Sequence, residues 1–156
     1  MNICGVDPGQ RSAWCVYNSV RGCVVSVGQF DGDFGFAPTD IVHASGAEVF
    51  VVERPKGYGP TRPQLVDCGY TAGRIAERID AVGYDLQELT RHEVCKILSD
   101  ATHGSVRVKN DATAWAALKL LHGEGCDKKG GALHGVRSHE RAALAVAVAW
   151  TIKTSQ

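Results

Sequence analysis

Three positions carry side chains that suit a hard divalent cation: Asp7, Glu53 and His139. Asp7 ends the run Met1-Asn-Ile-Cys-Gly-Val-Asp-Pro-Gly9. Ile3, Cys4 and Val6 suit a buried strand, Pro8 cannot donate to a sheet ladder, and Gly9 accepts whatever turn follows, so the strand stops at its acid. By itself Asp-Pro-Gly is equally an ordinary turn. Glu53 closes a second run, Glu48-Val-Phe-Val-Val-Glu53, ahead of Arg54-Pro55, and its near-continuous apolar character is that of a strand buried on both faces. Parallel and adjacent, the two strands would bring both carboxylates to one sheet edge. His139 opens a final helix, His-Glu-Arg-Ala-Ala-Leu-Ala-Val-Ala-Val-Ala-Trp, whose polar residues crowd into the first turn while the rest must pack deep. An Asp, Glu and His set suits Mg²⁺ or Mn²⁺. A pair of such ions can activate water on one side of a phosphodiester and stabilise the leaving oxygen on the other.

The elements that must position these groups follow in order. Arg11 to Tyr17 and Cys23 to Phe30 read as strands joined at Asn18 to Gly22, which makes an antiparallel meander with the first strand. A short helix is expected from Pro38 to Ser45, and Lys56 to Pro63 reads as a substrate-facing loop. A helix from Pro63 to Ala81 follows, its Gly69 and Gly73 spaced for close approach to the sheet, and Gly83 ends it. Asp85 to Leu89 reads as a strand and Arg91 to Leu98 as a helix capped by Thr90. Asp111 is expected to cap a helix over Ala112 to Leu121, and Ser138 the last one, His139 to Lys153. These elements predict an α/β fold in one domain spanning residues 1–156: a mixed five-stranded sheet, three antiparallel strands and then two parallel ones, flanked by helices.

Composition bounds the class. The chain has 156 residues, 44% of them hydrophobic, and a formal net charge of zero, which implies a compact core and says nothing of nucleic acid. No apolar run approaches a bilayer span and the start does not resemble a signal peptide, so no membrane association and a cytoplasmic location are expected. Six scattered cysteines without a C-x-x-C pair read as buried thiols.

Gly-Val-Asp-Pro-Gly, then Val-Val-Glu-Arg-Pro, then a Gly-containing helix and a closing His-x-x-x-Ala-Leu-Ala-Val-Ala resemble, in that order, the RuvC-type Holliday-junction resolvases, most closely their phage-encoded members. The resemblance covers nearly the whole chain, although the first motif alone is also similar to the nucleotide-binding and YqgF-like branches of the superfamily. It implies a ribonuclease H-like fold, a homodimer, and Mg²⁺-dependent nicking of four-way junctions, with Mn²⁺ as substitute. Asp7 and Glu53 match the family's first two acids and His139 the first position of its C-terminal cluster. The chain departs from the family pattern three residues later, where the usual acid is Ala142. Three accounts stay open: an active-site variant, a branch that dispenses with the ligand, or Glu140 standing in for it. On a helix Glu140 lies about 100° round from His139. Asp111 ranks lower, because capping would explain it.

A junction nuclease needs phosphate contacts from loops at the acid-bearing edge. Arg54, Lys56, Tyr58 and Arg62 follow Glu53 directly, and Arg107, Lys109, Lys128, Lys129, Arg137 and Arg141 complete the set of candidate DNA-binding residues. Besides a metal-dependent nuclease acting on branched DNA, the sequence allows a branched-DNA-binding protein with a weakened metal site, and a YqgF-like RNA-processing nuclease. A nucleotide pocket would need a second phosphate-binding glycine turn, which is not found.

Overall fold

The computed structural model describes residues 1–55 and 63–156. The loop predicted between Lys56 and Pro63, with Lys56, Tyr58 and Arg62, therefore lies outside the described residues but for Pro63. Five strands, β1 (Asn2–Asp7), β2 (Arg11–Asn18), β3 (Cys23–Asp31), β4 (Val49–Arg54) and β5 (Asp85–Thr90), form one sheet in the order β3-β2-β1-β4-β5. The first three are antiparallel neighbours, and β4 and β5 run parallel to β1, as the sequence predicts. Five helices flank it: α1 (Pro38–Ser45), α2 (Pro63–Ala81), α3 (Arg91–Ala101), α4 (Asp111–His122) and α5 (Glu140–Thr154).

Strand alternation divides the core into two layers. Ile3, Val49, Val51 and Leu89 pack towards α3, α4 and α5, while Cys4, Val6, Phe50 and Val52 pack with residues of α1 and α2. Asp7 and Glu53 continue the odd-numbered rows of β1 and β4, so both belong to the α5 side. The helix that matters most for their placement is α5, which is buried from Ala142 through Ala149. It lies directly on β1: a Cβ added to Gly5 would meet the Ala143 carbonyl oxygen at 2.1 Å and the Ala147 nitrogen at 2.8 Å. A glycine in the strand and alanines on the helix let the two backbones touch. One strand step beyond Gly5 is Asp7, and one helical turn before Ala143 is His139, so this contact brings the start of α5 over the acid.

Three local expectations are corrected. Asn110, not Asp111, caps α4: its backbone is extended and its Oδ1 accepts from the Thr113 amide at 2.9 Å. Asp111 is the first helical residue, its carboxylate free of capping work. Ser138 does not cap α5; it adopts a φ of 42°, and the Arg137 amide instead donates to Glu140 Oε2 at 2.8 Å. Gly69 and Gly73 do not meet the sheet, because α2 turns Ala72, Ile75 and Ile79 inward and leaves both glycines exposed. Thr90 does cap α3, in a reciprocal box with Glu93. Of the six free cysteines, Cys4, Cys15 and Cys126 are buried while Cys23, Cys68 and Cys95 are only half-buried. Among the described residues no helix is long and apolar enough to cross a membrane.

Gly5→Ala will destabilise the protein by about 3 kcal/mol, because a backbone carbonyl cannot move aside as a side chain can. Gly73→Ala, in open space on a helix, will be neutral or stabilising by up to about 1 kcal/mol. Urea unfolding of the two variants checks the contrast.

Candidate active site

Parallel pairing matches Val6 with Val52, so the next residues, Asp7 and Glu53, stand side by side at the carboxyl ends of their strands. Burial of two like charges this close would be prohibitive without a cation. Arg91 supplies it. Leu89 pairs with Glu53 across β4 and β5, Thr90 turns the chain into α3, and the first helical side chain reaches back over the strand ends. Arg91 Nε lies 3.0 Å from Glu53 Oε1, Nη1 2.8 Å from Asp111 Oδ1 and Nη2 3.9 Å from Asp7 Oδ1. Three carboxylates from β1, β4 and α4 thus surround one guanidinium.

The electrostatics follow from this arrangement. Burial raises the Asp7 pKa to about 6, against the lowering effects of Arg91 and His139, while Asp111 pushes it further up. Burial likewise raises Glu53 to about 7; Arg91 opposes the shift, and Asp7 and Asp111 add to it. Burial disfavours the charge on Arg91, but Glu53, Asp111 and Asp7 outweigh it and hold its pKa above the ordinary value. Glu53 is only 7% exposed, and its Oε2 is buried without a hydrogen-bond partner. A buried carboxylate oxygen in that state is costly unless something binds it.

Among the described residues no group of three His, Cys, Asp or Glu side chains is already drawn together tightly enough to hold a metal ion; the guanidinium lies among the acids. The donor set nevertheless fits a hard divalent cation: two buried carboxylates, one with an orphan oxygen, at the carboxyl ends of adjacent strands. Such an ion would be held by Asp7 and Glu53 with Arg91 displaced from between them.

His139 is exposed at the entrance to α5 and lines a cleft of about 290 Å³ with Asp111, Ala112, Ser138 and Arg141. Its charge lowers the Asp7 pKa slightly, against the larger effect of burial. Glu140 points elsewhere. It is buried, with Oε2 on the Arg137 amide and Oε1 accepting from Gln29 Nε2 at 3.3 Å, so both oxygens are engaged by β3 and the helix entrance. Ala142 is 2% exposed in the core.

The candidate DNA contacts separate by place. Arg107 and Lys109 share with Arg91 and Lys96 a cleft of about 580 Å³ beside α3, and Arg137 is exposed before α5. Arg54 is exposed and pairs with Glu88 at 3.4 Å. The Arg141 guanidinium lies 4.5 Å from the centre of the Trp115 ring, with a buried, unpartnered Nε. Lys128 and Lys129 are not at the acid edge. Their loop leaves the far end of α4, where His122 meets Tyr17, and its Ala132 carbonyl accepts from Val24 at the start of β3. Lys56, Tyr58 and Arg62 lie outside the described residues. Sequence reasoning missed Arg91 as a site residue. The available signal was a cation in the first turn of a helix, where the dipole disfavours it unless acids are near.

Both acids have raised pKa values in the folded state, so their contribution to stability is full below about pH 4 and declines as pH rises through about 6 and 7. Asp7→Asn will therefore raise the Tm of the metal-free protein at pH 8, and the gain will vanish near pH 4 in thermal melts. Arg91→Ala will cost about 1–2 kcal/mol at pH 8, with its one-third exposure taken into account. The loss will shrink at pH 5, where the acids carry protons, and urea titrations at the two pH values measure it.

No family model and no curated protein matches this sequence. Solved structures do match. A Thermus thermophilus RuvC structure aligns with a TM-score of 0.68 at 16% identity, covering 99% of this chain and 96% of that one. T. thermophilus RuvC in complex with a Holliday junction substrate aligns at 0.63 and 15% identity, covering 99% and 95%. The yeast mitochondrial Holliday junction resolvase Ydc2 aligns at 0.60 and 12% identity, covering 98% and 78%. With the sheet order and the acid-bearing strand ends described above, these alignments show that the chain has the ribonuclease H-like fold of the RuvC-type proteins.

Proposed function

We propose that this protein is a divalent-metal-dependent endonuclease that nicks branched DNA, with four-way junctions as its principal substrate. The observation that carries the proposal is the buried pair Asp7 and Glu53 at the ends of adjacent parallel strands, with an orphan oxygen on Glu53. Mg²⁺, or Mn²⁺ in its place, would supply charge neutralisation of the phosphodiester and a nucleophilic water at neutral pH. Asp7 and Glu53 would hold the cation, and His139, exposed at the entrance to α5, orients the attacking water and accepts its proton. Arg91, which contacts the acids, supplies a positive charge for the phosphate.

The cleft lined by Arg91, Lys96, Arg107 and Lys109 extends from the acids along α3 and suits a strand backbone, since phosphates are bound by such cations irrespective of sequence. A homodimer is part of the proposal. The first half of α2 exposes Val66, 55% accessible, and Tyr70, 65% accessible, on the face that also carries Gly69 and Gly73, a surface suited to a second copy of the helix. One arrangement favours a second reading, a branched-DNA-binding protein with little catalysis: Arg91 stands among the acids and Ala142 contributes no ligand.

Nicking of a labelled four-way junction, with duplex and structured RNA as competitors, separates these possibilities. The expected outcome is paired nicks with Mg²⁺ or Mn²⁺, lowered on the order of a thousandfold in Asp7→Asn. Metal-independent junction binding without nicking by any version would support the binding protein, and preference for RNA would support a YqgF-like nuclease.

A further inference from the structure

We propose that Asp111 is the third carboxylate ligand of the divalent-cation site formed with Asp7 and Glu53, supplied from the first turn of α4. The assignment presupposes the cation site proposed above. The geometry behind it is the shared guanidinium. Arg91 contacts Glu53, Asp111 and Asp7 through three different nitrogens of one small planar group, so whatever replaces Arg91 as the positive charge faces all three carboxylates. Asp111 is also free to serve. Asn110 does the capping of α4, and the bond to Arg91 is the hydrogen bond that orients the Asp111 carboxylate.

The independent sign that a ligand belongs here is Glu53 Oε2. This oxygen is buried and unpartnered while its twin bonds Arg91, and a buried carboxylate oxygen in that state is a ready ligand for a cation. The cleft at the entrances of α4 and α5 is lined by both Asp111 and His139, so the two groups share one opening. Neither alternative source of a third acid is available: Ala142 is buried without a polar atom, and both oxygens of Glu140 are engaged by Gln29 and the Arg137 amide.

The alternative role for Asp111 is to hold Arg91 in place, and a double substitution separates the two. Mn²⁺ is titrated into the full chain without DNA, followed by electron paramagnetic resonance, for the parent, Asp7→Asn, Asp111→Asn, Arg91→Ala and Arg91→Ala/Asp111→Asn. Asp111 is 62% exposed in its side chain and Asn110 keeps the cap, so Asp111→Asn will fold, as melting curves verify. The expected result is Mn²⁺ affinity weakened about tenfold or more by Asp111→Asn, in the parent and equally in the Arg91→Ala background. Weakening that disappears in the Arg91→Ala background would overturn the proposal, since Asp111 would then act only through the arginine. Unchanged affinity in Asp111→Asn with lost affinity in Asp7→Asn would also overturn it and leave the nuclease proposal standing. Unchanged affinity in both would overturn the two together.

Discussion

Two carboxylates buried side by side repel each other, and the rest of the site is organised by what keeps them there. Parallel pairing of β1 with β4 puts Asp7 and Glu53 in one row, and burial pushes both pKa values up towards neutrality. Left alone, the pair would take up protons and lose its affinity for cations. Arg91 opposes this without overcoming it, since both pKa values stay raised beside it, and in return the acids hold its own charge in a largely enclosed place. Arg91 therefore balances part of the charge of the acids.

That balance explains how two acids can be buried together at one edge of the sheet. An enclosed set of acids with no positive charge beside it would destabilise the domain at neutral pH, and the internal guanidinium reduces that cost. A helix packed backbone to backbone on Gly5 fixes where the entrance of α5, and with it His139, lies relative to β1.

Placement of the basic residues sharpens the picture of the surface. Zero net charge hides an asymmetry in which Arg91, Arg107 and Lys109 share one cleft next to the acids, with Lys96 there paired to Asp100 at 2.7 Å, whereas Lys128 and Lys129 belong to the other end of the sheet. Asp33, by contrast, is taken up by Arg74 and Arg78 on α2, so these two cations secure the β3–α1 connection and are not available to a phosphate.

Much of this was legible in the sequence for a physical reason. Strands buried on both faces need continuous apolar runs, and each run visibly stops at its acid, so β1, β4, Asp7 and Glu53 could be read from local chemistry alone. So could the capped start of α3 and the deeply packed α5. What the sequence could not disclose were relations between residues far apart in the chain. Arg91 lies 38 positions beyond Glu53 and looks like any helix-start arginine until β5 is laid beside β4. Which of the adjacent polar residues Asn110 and Asp111 caps α4 depends on backbone angles set by packing, and that choice frees Asp111 to face the site. Gly5 carries no sign of its purpose in a one-dimensional string; only when α5 rests on β1 does the absence of a side chain become the condition for the site. Local hydrophobic pattern determined the elements and the two principal acids, and the tertiary structure decided which charges meet them, because only folding brings residues from β1, β4, α3, α4 and α5 within a few ångströms of one another.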